Sequence, residues 1–149
     1  MYAHQVSVSI RSEITIAAPP ERVWAILTDF ASYPDWNPFI KTISGDLRVG
    51  SRLAVRIAPT GGAGMAFTPV VTEMRGSAVL EWLGRLFIPG IFDGRHRFEL
   101  VPLADGTTSF TQSETFAGLL VPFFSSTLKA TERGFIAANE ALKTRSETV

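Results

Sequence analysis

The stretch FSSTLKATERGFIAANEAL, residues 124–142, predicts a long helix with one apolar face. Apolar or small residues recur along it at alternating spacings of four and three, and charged residues fill the opposite side. A helix of roughly 20 residues is about 30 Å long, which is enough to lie diagonally across a sheet. We therefore expect the rest of the chain to form a sheet that buries this face. The apolar stripe consists of Phe124, Leu128, Thr131, Phe135, Ala138 and Leu142.

The residues before this helix predict the sheet. Residues 8–16 alternate between apolar and polar side chains, which is the period-two pattern of a half-buried strand. Pro19, Pro20 and Glu21 then open a short amphipathic helix, and the prolines in residues 33–38 allow at most one further brief helix. The fold class is therefore predicted as α+β, a seven-stranded curved antiparallel sheet in the order β-α-α-β6-α, wrapped around the long C-terminal helix. The six later strands, separated by glycine-containing turns, are placed at residues 39–47, 52–58, 65–74, 78–83, 95–101 and 107–116.

Length and charge exclude several classes of protein. A chain of 149 residues suits one domain, so we expect a single domain over residues 1–149, with tails at about 1–7 and 145–149. Fourteen Lys and Arg balance fourteen Asp and Glu, so no net field attracts nucleic acid. Cysteine is absent, no signal-peptide pattern opens the chain, and the apolar runs are too short to span a bilayer. We expect a cytoplasmic protein without a nucleic-acid partner or a membrane span.

Three motifs carry a resemblance to a known superfamily. They are ITIAAPPERVW at residues 14–24, YPDWNP at 33–38 and GRHRFEL at 94–100. With the order of elements, they resemble the START-like (SRPBCC) superfamily, especially its polyketide cyclase/dehydrase and lipid-transport branch. The resemblance implies a helix-grip fold with an internal apolar cavity, used for lipid carriage, hormone sensing, polyketide cyclisation or chaperone co-activation. The fold alone does not decide among these functions, so a site has to be argued from this chain.

The register of the last hairpin brings polar residues together. If Asp105 and Gly106 close the hairpin, one face of both strands carries most of its apolar residues and should look inward. His96 and Glu114 would then lie directly opposite each other in an apolar interior. The inward pairs are His96 with Glu114, Phe98 with Gln112, and Leu100 with Phe110.

Two interpretations of His96 and Glu114 remain open. Burying a polar group without a partner costs about 1–3 kcal/mol, so the two side chains could simply satisfy each other. Alternatively, they anchor a hydroxyl or carbonyl of a ligand, or work as a catalytic acid–base pair, because histidine exchanges protons near neutral pH. A metal site is not expected, since no Cys and no second nearby His accompany His96. No cofactor is predicted.

A set of side chains is predicted to line the ligand site. Most are aromatic, which favours an aromatic or isoprenoid guest, although aromatic residues also dominate ordinary cores. The predicted ligand-binding residues are Phe67, Trp82, His96, Phe98, Phe110, Gln112, Glu114, Phe116, Leu128 and Phe135.

Two unusually apolar segments, residues 86–92 and 119–124, lie where loops are usually polar. Three interpretations are open. The segments pack on each other as a plug, they gate the entry of a ligand, or they form a dimer interface. The chain is accordingly expected to be a monomer or a homodimer.

The leading functional prediction is binding or carriage of a hydrophobic small molecule, such as a lipid, an isoprenoid or an aromatic polyketide. Hydrophobic residues make up 46% of the chain and charged residues only 19%, which suggests more apolar surface than an ordinary core needs. One alternative is an enzyme of the cyclase, dehydratase or isomerase type that uses His96 and Glu114. A second alternative is a protein-interaction module of the chaperone co-activator type.

Overall fold

The computed structural model describes residues 7–58, 64–86 and 90–148. Within these ranges the predicted order of elements is confirmed, with a strand first, two helices next, further strands and a long final helix. The helices are α1 (Pro20–Thr28), α2 (Tyr33–Trp36) and α3 (Ser125–Glu147), with short 3-10 helices at Phe30–Ser32 and Val121–Phe123. The strands are β1 (Ser7–Ile16), β2 (Ile40–Ser44), β3 (Ala54–Ile57), β4 (Met65–Phe67), β5 (Val70–Arg75), β6 (Val79–Leu86), β7 (Phe92–Pro102) and β8 (Thr108–Ala117).

The strands form two antiparallel sheets. The larger has the order β1-β8-β7-β6-β5, and the smaller has the order β2-β3-β4. The prediction of seven strands is wrong, because the stretch predicted as one strand over residues 65–74 is two strands, β4 and β5. Pro69 lies between them and cannot donate a ladder hydrogen bond, so the chain bends and changes its partner from β3 to β6. The bend leaves the sheets joined at a corner, where Arg52 bridges to Val70.

Tyr33 stabilises the helical connection between β1 and β2. The Tyr33 hydroxyl is buried and donates a hydrogen bond of 2.5 Å to the backbone oxygen of Leu27 in α1. Burial strongly raises the pKa of Tyr33, so the hydroxyl remains a donor throughout the pH range in which proteins fold. This bond fixes α2 against the end of α1.

Helix α3 packs its apolar stripe against the concave face of the sheet. Phe135 is fully buried, and its ring meets that of Phe39 edge-on at 5.6 Å. The helix ends at Glu147, beyond the predicted start of the C-terminal tail at about residue 145, because Arg22 donates to the backbone oxygens of Ser146 and Thr148. Residues 1–6 of the predicted N-terminal tail, and residue 149, lie outside the described residues. Among the described helices, none has the length and hydropathy to cross a membrane.

Candidate functional site

The β7–β8 hairpin has the predicted register. His96 pairs with Glu114, Phe98 with Gln112 and Leu100 with Phe110. The turn is closed by a hydrogen bond of 2.9 Å from the Leu103 nitrogen to the Thr107 oxygen, and Gly106 takes the left-handed conformation (φ +84°) that the turn requires. The local chemistry of the turn therefore sets the pairing of the site residues.

His96 lies inside an aromatic enclosure. It is 3% exposed, and its ring lies 4.6 Å from the ring of Phe98, 4.9 Å from that of Phe135 and 5.0 Å from that of Trp82. These three rings come from two strands and from α3. The enclosure therefore exists only when the helix is docked on the sheet.

A chain of polar contacts crosses this enclosure, and we call it the polar ladder. It runs from Glu114 Oε1 to His96 Nδ1 (3.3 Å), and from His96 Nε2 to Gln112 Oε1 (2.9 Å). It continues with a hydrogen bond from Gln112 Nε2 to Asn139 Oδ1 (2.7 Å) and one from Asn139 Nδ2 to the backbone oxygen of Ser12 (3.4 Å). The predicted contact between His96 and Glu114 is present, and the second ring nitrogen of His96 is also occupied.

Two residues of this arrangement were missed at the sequence level. Asn139 lies four residues after Phe135 and three before Leu142, so a polar residue on the apolar stripe was the available signal. Gly94 was missed without any clear signal. A Cβ atom on Gly94 would lie 2.4 Å from Glu114 Oε2, so the bare glycine leaves the space that the carboxylate occupies.

The other predicted ligand-binding residues fall into separate groups. Phe110 extends the enclosure, since its ring stacks on that of Phe98 at 6.0 Å. Phe116 contacts Phe92 instead, with ring centroids 5.6 Å apart. Phe67 lies over Gly84 of β6, where its ring would be 3.3 Å from an added Cβ. Leu128 is buried on α3, in the hydrophobic core.

The polar ladder opens to solvent at Glu114. The side chain of His96 is 4% exposed, and that of Glu114 is 15% exposed, so Glu114 is the end that solvent reaches. Two depressions are lined by described residues. One, of about 480 Å³, borders the small sheet and includes Phe67, and the other, of about 650 Å³, lies between α3 and Trp36. Neither borders His96 or Glu114, so the internal apolar cavity remains a prediction.

The two apolar segments contact each other. The Leu120 nitrogen donates to the Ile91 oxygen (3.0 Å), and the rings of Phe92 and Phe124 lie 4.8 Å apart. These contacts are those expected of a plug. Leu119 and Phe123 nevertheless remain 74% and 79% exposed, so the gate and interface interpretations stay open, and residues 87–89 lie outside the described residues.

The outer face of the sheet carries an ion-pair cluster, which is separate from the ladder. Glu81 accepts hydrogen bonds from Arg95 (2.9 Å), Arg97 (2.8 Å) and Thr72 (2.9 Å). Burial opposes ionisation of Glu81, but the bonds from Arg95, Arg97 and Thr72 outweigh burial, and its pKa is lowered. Over the described ranges, no three His, Cys, Asp or Glu side chains gather in a way that would hold a metal ion. We assign this cluster to stability.

Several solved structures share the fold. The Zhui aromatase/cyclase from Streptomyces sp. R1128 is 15% identical with a TM-score of 0.77, and the match covers 95% of this chain and 94% of that one. A START superfamily protein from Mycobacterium smegmatis is 23% identical with a TM-score of 0.73, over 93% of this chain and 97% of that one. A norcoclaurine synthase mutant from Thalictrum flavum, in complex with a transition-state analogue, is 14% identical with a TM-score of 0.72, over 97% of each chain. At such identities the likeness establishes the helix-grip fold.

The family comparison covers nearly the whole chain. No curated protein matches it. A family model described as polyketide cyclase/dehydrase and lipid transport matches residues 7–147. The resemblance carried by the three sequence motifs is thereby confirmed. The chain belongs to the polyketide cyclase/dehydrase and lipid transport family.

Proposed function

We propose that this protein binds a hydrophobic small molecule and that Glu114 receives the polar group of that molecule. The family includes lipid transport in its description, which agrees with an apolar ligand. The aromatic rings around His96 favour a flat or isoprenoid guest over a polar one. Together these features support an apolar ligand whose polar group meets Glu114.

One observation carries the proposal. Glu114 belongs to the inward face of the sheet, yet its side chain keeps 15% exposure, while His96, Gln112 and Asn139 are almost completely buried. A carboxylate in that position is costly unless it is hydrogen-bonded, and His96 satisfies only one of its oxygens. Within the described part of the chain the second oxygen accepts no hydrogen bond, so we propose that it accepts one from a ligand hydroxyl.

A matched pair of probes tests this proposal. 2-Naphthol and naphthalene differ by one hydroxyl group, and the fluorescence of 2-naphthol and competition by naphthalene report their binding. We expect 2-naphthol to bind more tightly by roughly tenfold or more, because a hydrogen bond to a charged group contributes about 1.5–3 kcal/mol. Glu114→Gln should reduce this preference and leave the affinity for naphthalene unchanged. Failure of both probes to bind, with no small molecule retained in native mass spectrometry, would contradict the proposal.

A second candidate function is acid–base catalysis, and the contact of 3.3 Å between Glu114 and His96 favours it. A carboxylate coupled to an imidazole in an apolar enclosure can take a proton from a carbon next to a carbonyl and return it. Cyclase, dehydratase and isomerase reactions all need such a transfer.

Hydrogen exchange on a ketone separates this candidate from simple binding. 2-Tetralone in deuterated water should gain deuterium next to its carbonyl faster with the protein than with the Glu114→Gln variant, as measured by mass spectrometry. Breaking the C–H bond transfers the proton to Glu114, and a deuteron from solvent then takes its place on the carbon. Equal exchange rates for the two proteins, with 2-tetralone bound to both, would leave ligand binding as the function and exclude catalysis of this step.

A further inference from the structure

We propose that the polar ladder holds a hydrogen permanently on Nε2 of His96, so that Nδ1 is the ring nitrogen that exchanges a proton with Glu114. This inference rests on the proposed function for its role, but its evidence lies in the protein without any ligand. It assigns Glu114 as the residue that contacts the ligand. His96, Gln112 and Asn139 become positioning residues behind it.

The order of donors and acceptors along the ladder follows from its end at Ser12. The backbone oxygen of Ser12 can only accept a hydrogen bond, so the atom of Asn139 that faces it must be the donor Nδ2. The other atom of that amide, Oδ1, therefore faces Gln112 and takes a hydrogen from Nε2 of Gln112. The remaining atom of Gln112 is Oε1, which is an acceptor. His96 Nε2, at 2.9 Å, must then donate.

The open end of the ladder shares one proton. Nδ1 of His96 lies 3.3 Å from Glu114 Oε1, and two lone pairs at that distance would repel each other. A proton therefore lies between them, carried either by Nδ1 as an imidazolium or by Glu114 as a carboxylic acid. In both states Nε2 keeps its hydrogen. The mobile proton of the site is the one between His96 and Glu114, next to the exposed end.

The arrangement divides the work between the two residues. His96 is enclosed by rings on several sides, so a ligand meets Glu114 before it could meet the imidazole. The imidazole holds one carboxylate oxygen and can store or return its proton. The amides of Gln112 and Asn139, both 2% exposed, keep the ring from rotating and from changing tautomer.

Nitrogen NMR measures this directly. The protein is labelled with ¹⁵N-histidine in a His4→Gln background, which leaves His96 as the single histidine. Long-range ¹H–¹⁵N spectra of the free protein, recorded across the pH range in which it stays folded, report which ring nitrogen carries hydrogen. We expect a protonated-type shift at Nε2 throughout, because the hydrogen bond to Gln112 Oε1 holds that hydrogen in both states of the pair. A neutral ring with its hydrogen on Nδ1 would overturn the proposal.

A variant tests whether the amides set the tautomer. Gln112→Met keeps the length of the side chain but removes the acceptor from Nε2, so the neutral ring should move its hydrogen to Nδ1 and donate to Glu114. Thr131→Val is the control, because Thr131 is buried on α3 and bonds only within its own helix. We expect its spectrum to match the parent protein. A Gln112→Met protein that folds and carries hydrogen on Nε2 with none on Nδ1 would overturn the inference, whereas failure of the naphthol experiment alone would overturn only the proposed function.

Discussion

Replacing Gly94 by alanine should displace the Glu114 carboxylate without removing it. The added Cβ would lie 2.4 Å from Glu114 Oε2, and ordinary contact needs at least 3.4 Å. The other near atoms, on Glu114 and Phe116, already lie at acceptable distances of 3.4 and 3.5 Å. The carboxylate is the movable end of its side chain, so it should retreat by about 1 Å, the difference between those contact distances. We expect this retreat to take Oε1 out of hydrogen-bond range of His96 Nδ1, because that contact already measures 3.3 Å.

The free energy of unfolding should change in two opposing ways. Losing a hydrogen bond to a charged partner costs about 1.5–3 kcal/mol. Replacing glycine inside a strand returns about 0.5–1 kcal/mol, because the unfolded chain becomes less flexible. The net loss of stability for Gly94→Ala is then about 0.5–2.5 kcal/mol, which lowers Tm by roughly 1–10 °C for a chain of this size.

Thermal unfolding and the naphthol titration together provide the assay. Gly94→Ala should lose the preference for 2-naphthol over naphthalene, as Glu114→Gln does, although Glu114 is still present. Gly76→Ala is the matched control, because nothing lies within 4 Å of an added Cβ there. It should keep the preference of the parent protein, with a Tm that is equal to or slightly above that of the parent.

One result would refute the reasoning about Gly94. If Gly94→Ala kept the full preference for 2-naphthol together with the His96 Nδ1 signal of the parent protein, the carboxylate would not depend on the space at Gly94. The position of Glu114 beside His96 would then have another cause, and the assignment of Gly94 to the site would be wrong.

Three further predictions concern stability. Asn139→Leu should cost about 1–3 kcal/mol in urea unfolding, since it leaves Gln112 Nε2 buried without an acceptor, and an unchanged midpoint would contradict the ladder. Gly134→Ala should lower Tm, because the added Cβ would lie 2.2 Å from the buried ring of Phe39. Alanine favours a helix over glycine by about 1 kcal/mol, so a higher Tm would show that the ring moves freely. Because the folded-state pKa of Glu81 is lowered, its charge stabilises the fold at neutral pH, and that contribution disappears as the pH falls below about 4. Urea unfolding should therefore show Glu81→Gln less stable than the parent protein at neutral pH, with the gap narrowing in acid, and a gap independent of pH would contradict this assignment.

Local sequence patterns predicted most of the fold. Three patterns each reflect a single element, and each of those elements formed as predicted. They are the alternation in residues 8–16, the prolines at the start of α1 and the four-three spacing in residues 124–142. The two strands of residues 65–75 were the exception. Pro69 forbids a ladder bond, but whether the chain bends or ends there depends on which strand is available as a partner.

Some contacts of the candidate site can be predicted from local patterns, and others cannot. The pairing of His96 with Glu114 follows from one turn and the period of two in a strand, so it is accessible to sequence reasoning. The contact of His96 with Gln112 is harder to predict from the sequence. The register places both Glu114 and Gln112 within reach of the ring, and it does not say which nitrogen meets which residue. The contact with Asn139 depends on how α3 lies on the sheet.

Short-range patterns were therefore enough to predict the order of the elements, the hairpin register and the family, since turns and periodic patterns act over a few residues. Only the tertiary structure decided how helix α3 meets the sheet, and with it the polar ladder from Ser12 to Glu114. The space that Gly94 leaves for a carboxylate is also visible only in the tertiary structure, because it depends on the direction in which the Glu114 side chain points from the neighbouring strand. Such contacts depend on the packing of elements that are distant in the chain, and no local pattern encodes the distance between them.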